Sequence, residues 1–189
     1  MSVDLLCVYG NIKTYMEKRK IKPLNEYTEN EFRNGIRNRG FVVIGSEKVI
    51  IVITSDVSAI PAKQSDFQKL LNNIKLDKKE LVLVSHRYIS TNIREYANAN
   101  NINLYSYTYS IFLIDITKAP MVPEHILLTP EEADEFRRTA SCDMLNNLPK
   151  ISILDVQAIW LGARIGDIIK IIRMSESTGY SVYYRVCVG

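Results

Sequence analysis

The sequence predicts two modules: an α/β N-terminal part, a sheet with flanking helices, and a small α+β C-terminal part. Three observations carry this. Between Phe41 and Tyr109, short β-branched runs alternate with helical patterns, the order expected of a sheet with helices packed on it. Ala119-Pro120-Met121-Val122-Pro123 places two prolines close together, which resists both helix and central strand. It sets the expected boundary, with domains at 1–119 and 120–189. After it come a capped helix, a short second helix and a hairpin.

The elements follow in order. Leu5, Leu6, Tyr9, Ile12, Tyr15 and Met16 recur at three- and four-residue steps, one buried stripe of a helix that Pro23 ends. Thr28 followed by Glu31 has capping-box spacing and starts a second helix, which Gly35 weakens and Gly40 closes. Phe41–Ile44 and Val49–Thr54, joined by Gly45-Ser46-Glu47-Lys48, form a hairpin. Asp66–Ile74 is a helix with Phe67, Leu70, Leu71 and Ile74 on one face, and Leu81–Val84 is a buried strand. Ser90 or Thr91 caps a helix that leaves at Asn100-Asn101. Asn103–Tyr109 and Ile111–Ile116 read as strands.

In the second module Thr129 caps a helix, Pro130 takes its first position and Glu132 completes the capping box. Asp155 caps a shorter helix that ends at Gly162, and Gly166-Asp167 turns the chain into the hairpin. Its strands are Ile168–Arg173 and Tyr180–Val188, with Met174–Gly179 as a polar turn. Both strands are apolar on both faces, whereas a hairpin with one wet face alternates. The module has too little chain of its own to cover both, so another protein is expected on the second face.

These residues also carry a resemblance. Val122-Pro123-Glu124-His125, Leu148-Pro149-Lys150-Ile151, Asp155 with Ala158, Leu161-Gly162-Ala163, Gly166-Asp167 into Ile168–Arg173, Ser175–Gly179 and Tyr184-Arg185-Val186 follow in order. This series resembles the assembly domain of the shared fifth subunit of eukaryotic RNA polymerases and its archaeal counterpart. One position departs: the family usually has Pro after the Asp, and Val156 stands here. In front, Leu81–Ser85, the loop His86–Ile89, the helix from Ser90 and Ile111–Thr117 are similar to the second half of the family's N-terminal jaw, which has a nuclease-like layout without nuclease activity. The chain is shorter than typical eukaryotic members, so a virus-encoded member is open.

The resemblance implies a noncatalytic subunit of a DNA-directed RNA polymerase. It would dock on the largest subunit, meet other polymerase subunits, and form part of the jaw along downstream double-stranded DNA. It implies the nucleus for a cellular member and the virion or host cytoplasm for a viral one. No cofactor is implied. In the loop before a helix N-terminus, His86, Arg87, Tyr88, Ser90, Thr91 and Asn92 are the candidate DNA contacts. Backbone N–H groups there suit a phosphate and Arg87 supplies the counter-charge. The hydroxyls of Ser90 and Thr91 either bind phosphate or cap the helix, and capping is the expected use. His125, Arg164, Lys170, Arg173, Ser175, Glu176, Tyr184 and Arg185 are the candidate subunit-interface residues. Lys170, Arg173 and Arg185 are either solvated edge charges or interface ion pairs. Tyr180, Tyr183 and Tyr184 are either core or anchors.

Composition narrows the alternatives. The net charge of +3 over 189 residues permits nucleic-acid binding without indicating it. No apolar run has bilayer-spanning length and no membrane contact is expected. Asp4 and the lack of a basic then apolar segment argue against a secretory signal. Cys7, Cys142 and Cys187 are expected to be free thiols. With only His86 and His125, neither at zinc-ligand spacing, no metal site is expected; His125 is expected to be hydrogen-bonded at the domain junction. Asp77-Lys78-Lys79 has an Asp-x-Lys pattern, and with Asp56 as acidic partner it offers a metal-dependent nuclease as the enzymatic alternative. A solvated turn accounts better for it. Gly162–Asp167 lacks the Lys-Ser or Lys-Thr of a phosphate loop. A free-standing DNA-binding regulator is the third reading.

Overall fold

The computed structural model describes residues 4–55, 64–74, 80–141, 147–175 and 179–189. Asp56, Asp77, Lys78, Lys79, Cys142 and Glu176 lie outside the described residues. The chain divides into two compact units, Met1–Ile114 and Asp115–Gly189. The expected boundary at 119/120 falls just inside the second of these, because a 3-10 turn, Ile116–Lys118, packs against a helix of that unit.

The first unit contains α1 (Leu5–Lys18), α2 (Glu29–Arg39), β1 (Phe41–Gly45), β2 (Val49–Thr54), α3 (Gln64–Ile74), β3 (Glu80–Ser85), α4 (Thr91–Ala99) and β4 (Leu104–Thr108). The sheet order is β1-β2-β3-β4; β1 is antiparallel to β2, and β2, β3 and β4 are parallel. A parallel strand buried on both faces needs helices on both sides, and every residue of β2 is buried. Ile50, Val52, Leu81 and Leu83 face α3 and α4 through Phe67, Leu70, Ile74, Ile93 and Ala97. On the opposite face Val84 pairs with Tyr107, whose ring meets Phe112 edge-on, and Phe112 meets Tyr15 of α1 in the same way. Tyr9 stacks on Phe32 at 4.8 Å and joins α1 to α2.

Local signals act as expected. Thr28 and Glu31 form both halves of a capping box, and Gly40 closes α2 at φ +75°. One expectation fails: Ile111–Ile116 is not a strand. Tyr109–Ile111 is a 3-10 turn with Phe112 buried behind it. The Asn11 amide donates to Phe112 O at 2.9 Å and the Cys7 thiol to Leu113 O at 3.3 Å. Side chains of α1 thus satisfy carbonyls that a strand would have paired in a ladder.

The second unit contains β5 (Glu124–Leu127), α5 (Pro130–Thr139), β6 (Lys150–Ser152), α6 (Val156–Leu161), β7 (Ile168–Ser175) and β8 (Gly179–Val188). Its sheet order is β5-β7-β8-β6, with β6 parallel to β8 and the other pairs antiparallel. The Thr129/Glu132 capping box with Pro130, the Asp155 cap and the left-handed Gly162 stop all form. Strands β5 and β6 are not expected from the sequence, and Met174, expected in a polar turn, belongs to β7.

The hairpin expectation needs correction in one respect. Opposed residues share a face, so Ile169, Ile171 and Cys187 look one way while Ile168, Lys170, Tyr184 and Val186 look the other. On the first face Ile151, Ala158 and Ala163 complete the core. On the second, Phe136 of α5 lies 4.3 Å from the Tyr184 ring. The module therefore covers both faces at the base of the hairpin with its own chain. Only the distal end stays uncovered.

Candidate nucleic-acid and subunit interfaces

The loop after β3 is built from the strand outward. The Ser85 hydroxyl donates to Arg87 O at 2.6 Å, and Ile89 N–H donates to the Ser106 hydroxyl of β4 at 3.3 Å. Ile89 is buried and anchors the loop, while His86, Arg87, Tyr88, Ser90, Thr91 and Asn92 are exposed around it. The His86 ring sits 6.3 Å from Tyr109, whose hydroxyl donates to Thr54 O. Ser90 is the N-cap of α4 and its carbonyl accepts from Ile93 and Arg94 N–H at 3.2 Å.

Ser90 differs from expectation: its side chain makes no capping hydrogen bond. The hydroxyl therefore remains available beside the orphan N–H groups of the first turn, where the helix dipole favours an anion. Arg87 is brought to the same loop. The six candidates thus lie together as an exposed polar stretch at the C-terminal end of the parallel strands, with Arg87 the one cation among the six.

The second surface is the distal hairpin. Met174 is 84 % exposed, Tyr180 68 %, Val182 47 % and Tyr183 50 %. Met174, Tyr180, Val182 and Ile172 share one face. Ile172, Met174 and Tyr180 of this face, with Arg173 and the Pro120–Glu124 segment, line a groove of about 580 Å3, and Met121 there is almost fully exposed. On the other face the Arg173 guanidinium lies 5.4 Å from the centre of the Tyr183 ring.

The interface candidates spread unevenly. Lys170 is half-buried opposite Tyr184, and Tyr184 is internal through Phe136. Arg185 donates to Lys150 O at 3.5 Å. Lys170, Arg173 and Arg185 form no ion pair among the described residues. Arg164 is at the turn that Asp167 closes through Arg164 N–H at 2.7 Å. Ser175 ends β7 opposite Gly179. The His125 ring Nδ1 is 2.7 Å from Pro123 O; a carbonyl only accepts, so Nδ1 carries the proton. The hydrogen bond expected of His125 is present, and it is made inside the second unit rather than between units.

Sequence reasoning missed Met121, Met174 and Val182. The usable signal was an apolar residue, Met174, inside a stretch otherwise of turn composition. Among the described residues no cluster of His, Cys, Asp or Glu could hold a metal ion, and no helix is long and apolar enough to cross a membrane. Cys7 and Cys187 are free thiols.

The family model described as RNA polymerase Rpb5, C-terminal domain, matches residues 114–187. A DNA-directed RNA polymerase RPB5 homolog of African swine fever virus is 32% identical over 201 residues, covering 98% of this chain and 97% of that one. The DNA-directed RNA polymerase subunit Rpo5 of Methanothrix thermoacetophila is 46% identical over 68 residues, 36% of this chain and 86% of the relative. The subunit rpabc1 of RNA polymerases I, II and III of Dictyostelium discoideum is 34% identical over 96 residues, 51% of this chain and 48% of the relative.

Proposed function

We propose, because this chain belongs to the Rpb5 family of DNA-directed RNA polymerase subunits, that it serves transcription as a noncatalytic subunit docked on the largest subunit. The C-terminal unit provides the docking surface. The N-terminal unit is the family's jaw, nuclease-like in layout and without nuclease activity, and lies along downstream double-stranded DNA. The observation that carries the docking is the uncovered apolar end of the hairpin beside its groove. Exposed apolar patches rimmed by polar residues mark interaction surfaces.

The DNA reading rests on the loop 86–92. Its exposed Arg87, the uncapped Ser90 hydroxyl and the α4 N-terminus suit one phosphate. Such a contact positions DNA and carries no sequence information. Whole-length similarity to viral homologues favours a virus-encoded subunit working in the virion or host cytoplasm; a cellular member would work in the nucleus.

Affinity purification of the tagged full chain, with mass identification of what travels with it, tests the assignment. The largest polymerase subunit is expected in stoichiometric amount. Its absence would sink the docking claim. In the assembled enzyme, Arg87→Ala should reduce the salt slope of downstream-DNA binding by about one phosphate contact. The purified chain should leave DNA intact in magnesium; cleavage abolished by Asp77→Ala would make the nuclease alternative correct.

A further inference from the structure

The N-terminal unit carries a recess that the polymerase reading does not use. It lies where α1 ends and the β1–β2 turn returns, and holds about 450 Å3, inside the usual range for ligand pockets. Ile21, Pro23 and Leu24 form one wall; Ser46, Glu47 and Lys48 form the other. Leu24 is 68 % exposed. Arg19, Lys20, Lys22 and Lys48 bring four cations to this recess against the one carboxylate of Glu47. Arg19 is engaged by the Tyr15 hydroxyl and Glu80. Lys20, Lys22 and Lys48 are exposed and form no ion pair among the described residues.

The walls are fixed before any ligand arrives. Ile21 N–H returns to Met16 O and Lys20 N–H to Glu17 O, both at 2.9 Å, a Schellman closure of α1. Lys20 is its left-handed residue, at φ +55°, the position that favours glycine. The buried Ser46 hydroxyl donates to Val49 O at 2.8 Å and accepts from Val49 N–H at 2.9 Å, which locks the turn. Leu24 N–H donates to Gly45 O at 2.8 Å and ties the two walls together. A preorganised recess spends little of its binding energy on ordering.

We propose that this recess docks an acidic peptide segment of a partner protein, one carrying a bulky apolar side chain. The apolar side chain lies against Ile21, Pro23 and Leu24, and neighbouring carboxylates meet Lys20, Lys22 and Lys48. A single-stranded nucleic acid fits less well, because no aromatic ring lines the recess to stack a base, and a duplex held by its phosphates would leave the apolar wall of Ile21, Pro23 and Leu24 unused. The site is also separate from the loop at 86–92. Lys48 and Glu80 meet at the N-terminal end of β3, and the loop leaves its C-terminal end, roughly 17 Å away along a six-residue strand.

The test uses the full chain and fluorescence anisotropy with a short labelled peptide of Glu and Leu. Saturable, salt-sensitive binding is expected. Lys20→Gln with Lys48→Gln should weaken it about tenfold, as two exposed ion pairs lost together. Leu24→Ser should weaken it independently, and Arg87→Ala should leave it unchanged. The proposal is overturned by no saturable binding, by equal binding when Ser replaces Leu in the peptide, or by variants that bind as well as the parent. It is overturned equally if unlabelled duplex DNA displaces the peptide in a manner that depends on Lys20 and Lys48.

Discussion

Truncating the exposed end of the hairpin should separate docking from folding. Tyr180 is 68 % exposed, and an aromatic side chain offers roughly 200 Å2, so a docked partner would cover about 140 Å2 of it. At about 25 cal/mol per Å2 that is ~3.5 kcal/mol as an upper bound. Association entropy and imperfect packing reduce the return, and a central anchor loses about 2 kcal/mol or more on truncation. Tyr180→Ala should therefore raise the Kd for polymerase lacking this subunit about thirtyfold. Met174, at 84 % exposed on the same face, should behave alike. The assay is titration of labelled full chain into the subunit-depleted polymerase, with thermal melting of the free chain alongside. Both side chains stand largely in water, so the melting temperature should not move. A Kd within about twofold of the parent for the double variant, at unchanged stability, would refute the reasoning.

Three further outcomes concern stability. Val156→Pro should stabilise the second unit by about 0.4–1 kcal/mol in urea denaturation; Val156 opens α6, and Asp155 before it has the extended ψ of 137° that a proline requires of its predecessor. Gly35→Ala should destabilise by about 1 kcal/mol despite the gain in helix propensity; an added Cβ would stand 2.9 Å from Val42 Cγ2, and Val42 is fully buried in β1. Burial pushes the Tyr15 and Tyr107 phenols above their ordinary value, with Arg19 partly opposing. That stability is intact below about pH 10 and is lost as pH rises through the raised folded values; Tyr107→Phe should flatten the alkaline loss in melts followed by circular dichroism.

Much of this architecture was legible because its signals are local. The Thr28/Glu31 and Thr129/Glu132 boxes each need only four residues of sequence, and both form. The β1–β2 hairpin and β3 announce themselves as β-branched runs. What failed depended on distant chain. Ile111–Ile116 has strand composition, yet its carbonyls are claimed by Asn11 and Cys7, about a hundred residues earlier. Strands β5 and β6, of four and three residues, are too short for a period to be read and exist because β7 and β8 offer them edges. The loop 86–92 is exposed as a group apart from Ile89, as its polar composition suggests, but the uncapped Ser90 side chain was not legible: Ser at an N-cap position says nothing about its rotamer.

The covered base of the hairpin changes what its apolar sequence implies. Phe136 on one face and Ala158 with Ile151 on the other account for the inner isoleucines without any partner. Only the outer residues call for one. Met121, Met174, Tyr180, Val182 and Tyr183 together expose on the order of 600 Å2, somewhat short of the roughly 800 Å2 per side of a stable interface. No single face supplies even that, because Tyr183 lies opposite to Tyr180 and Val182 across the sheet. A partner that covers all five side chains must therefore reach both faces.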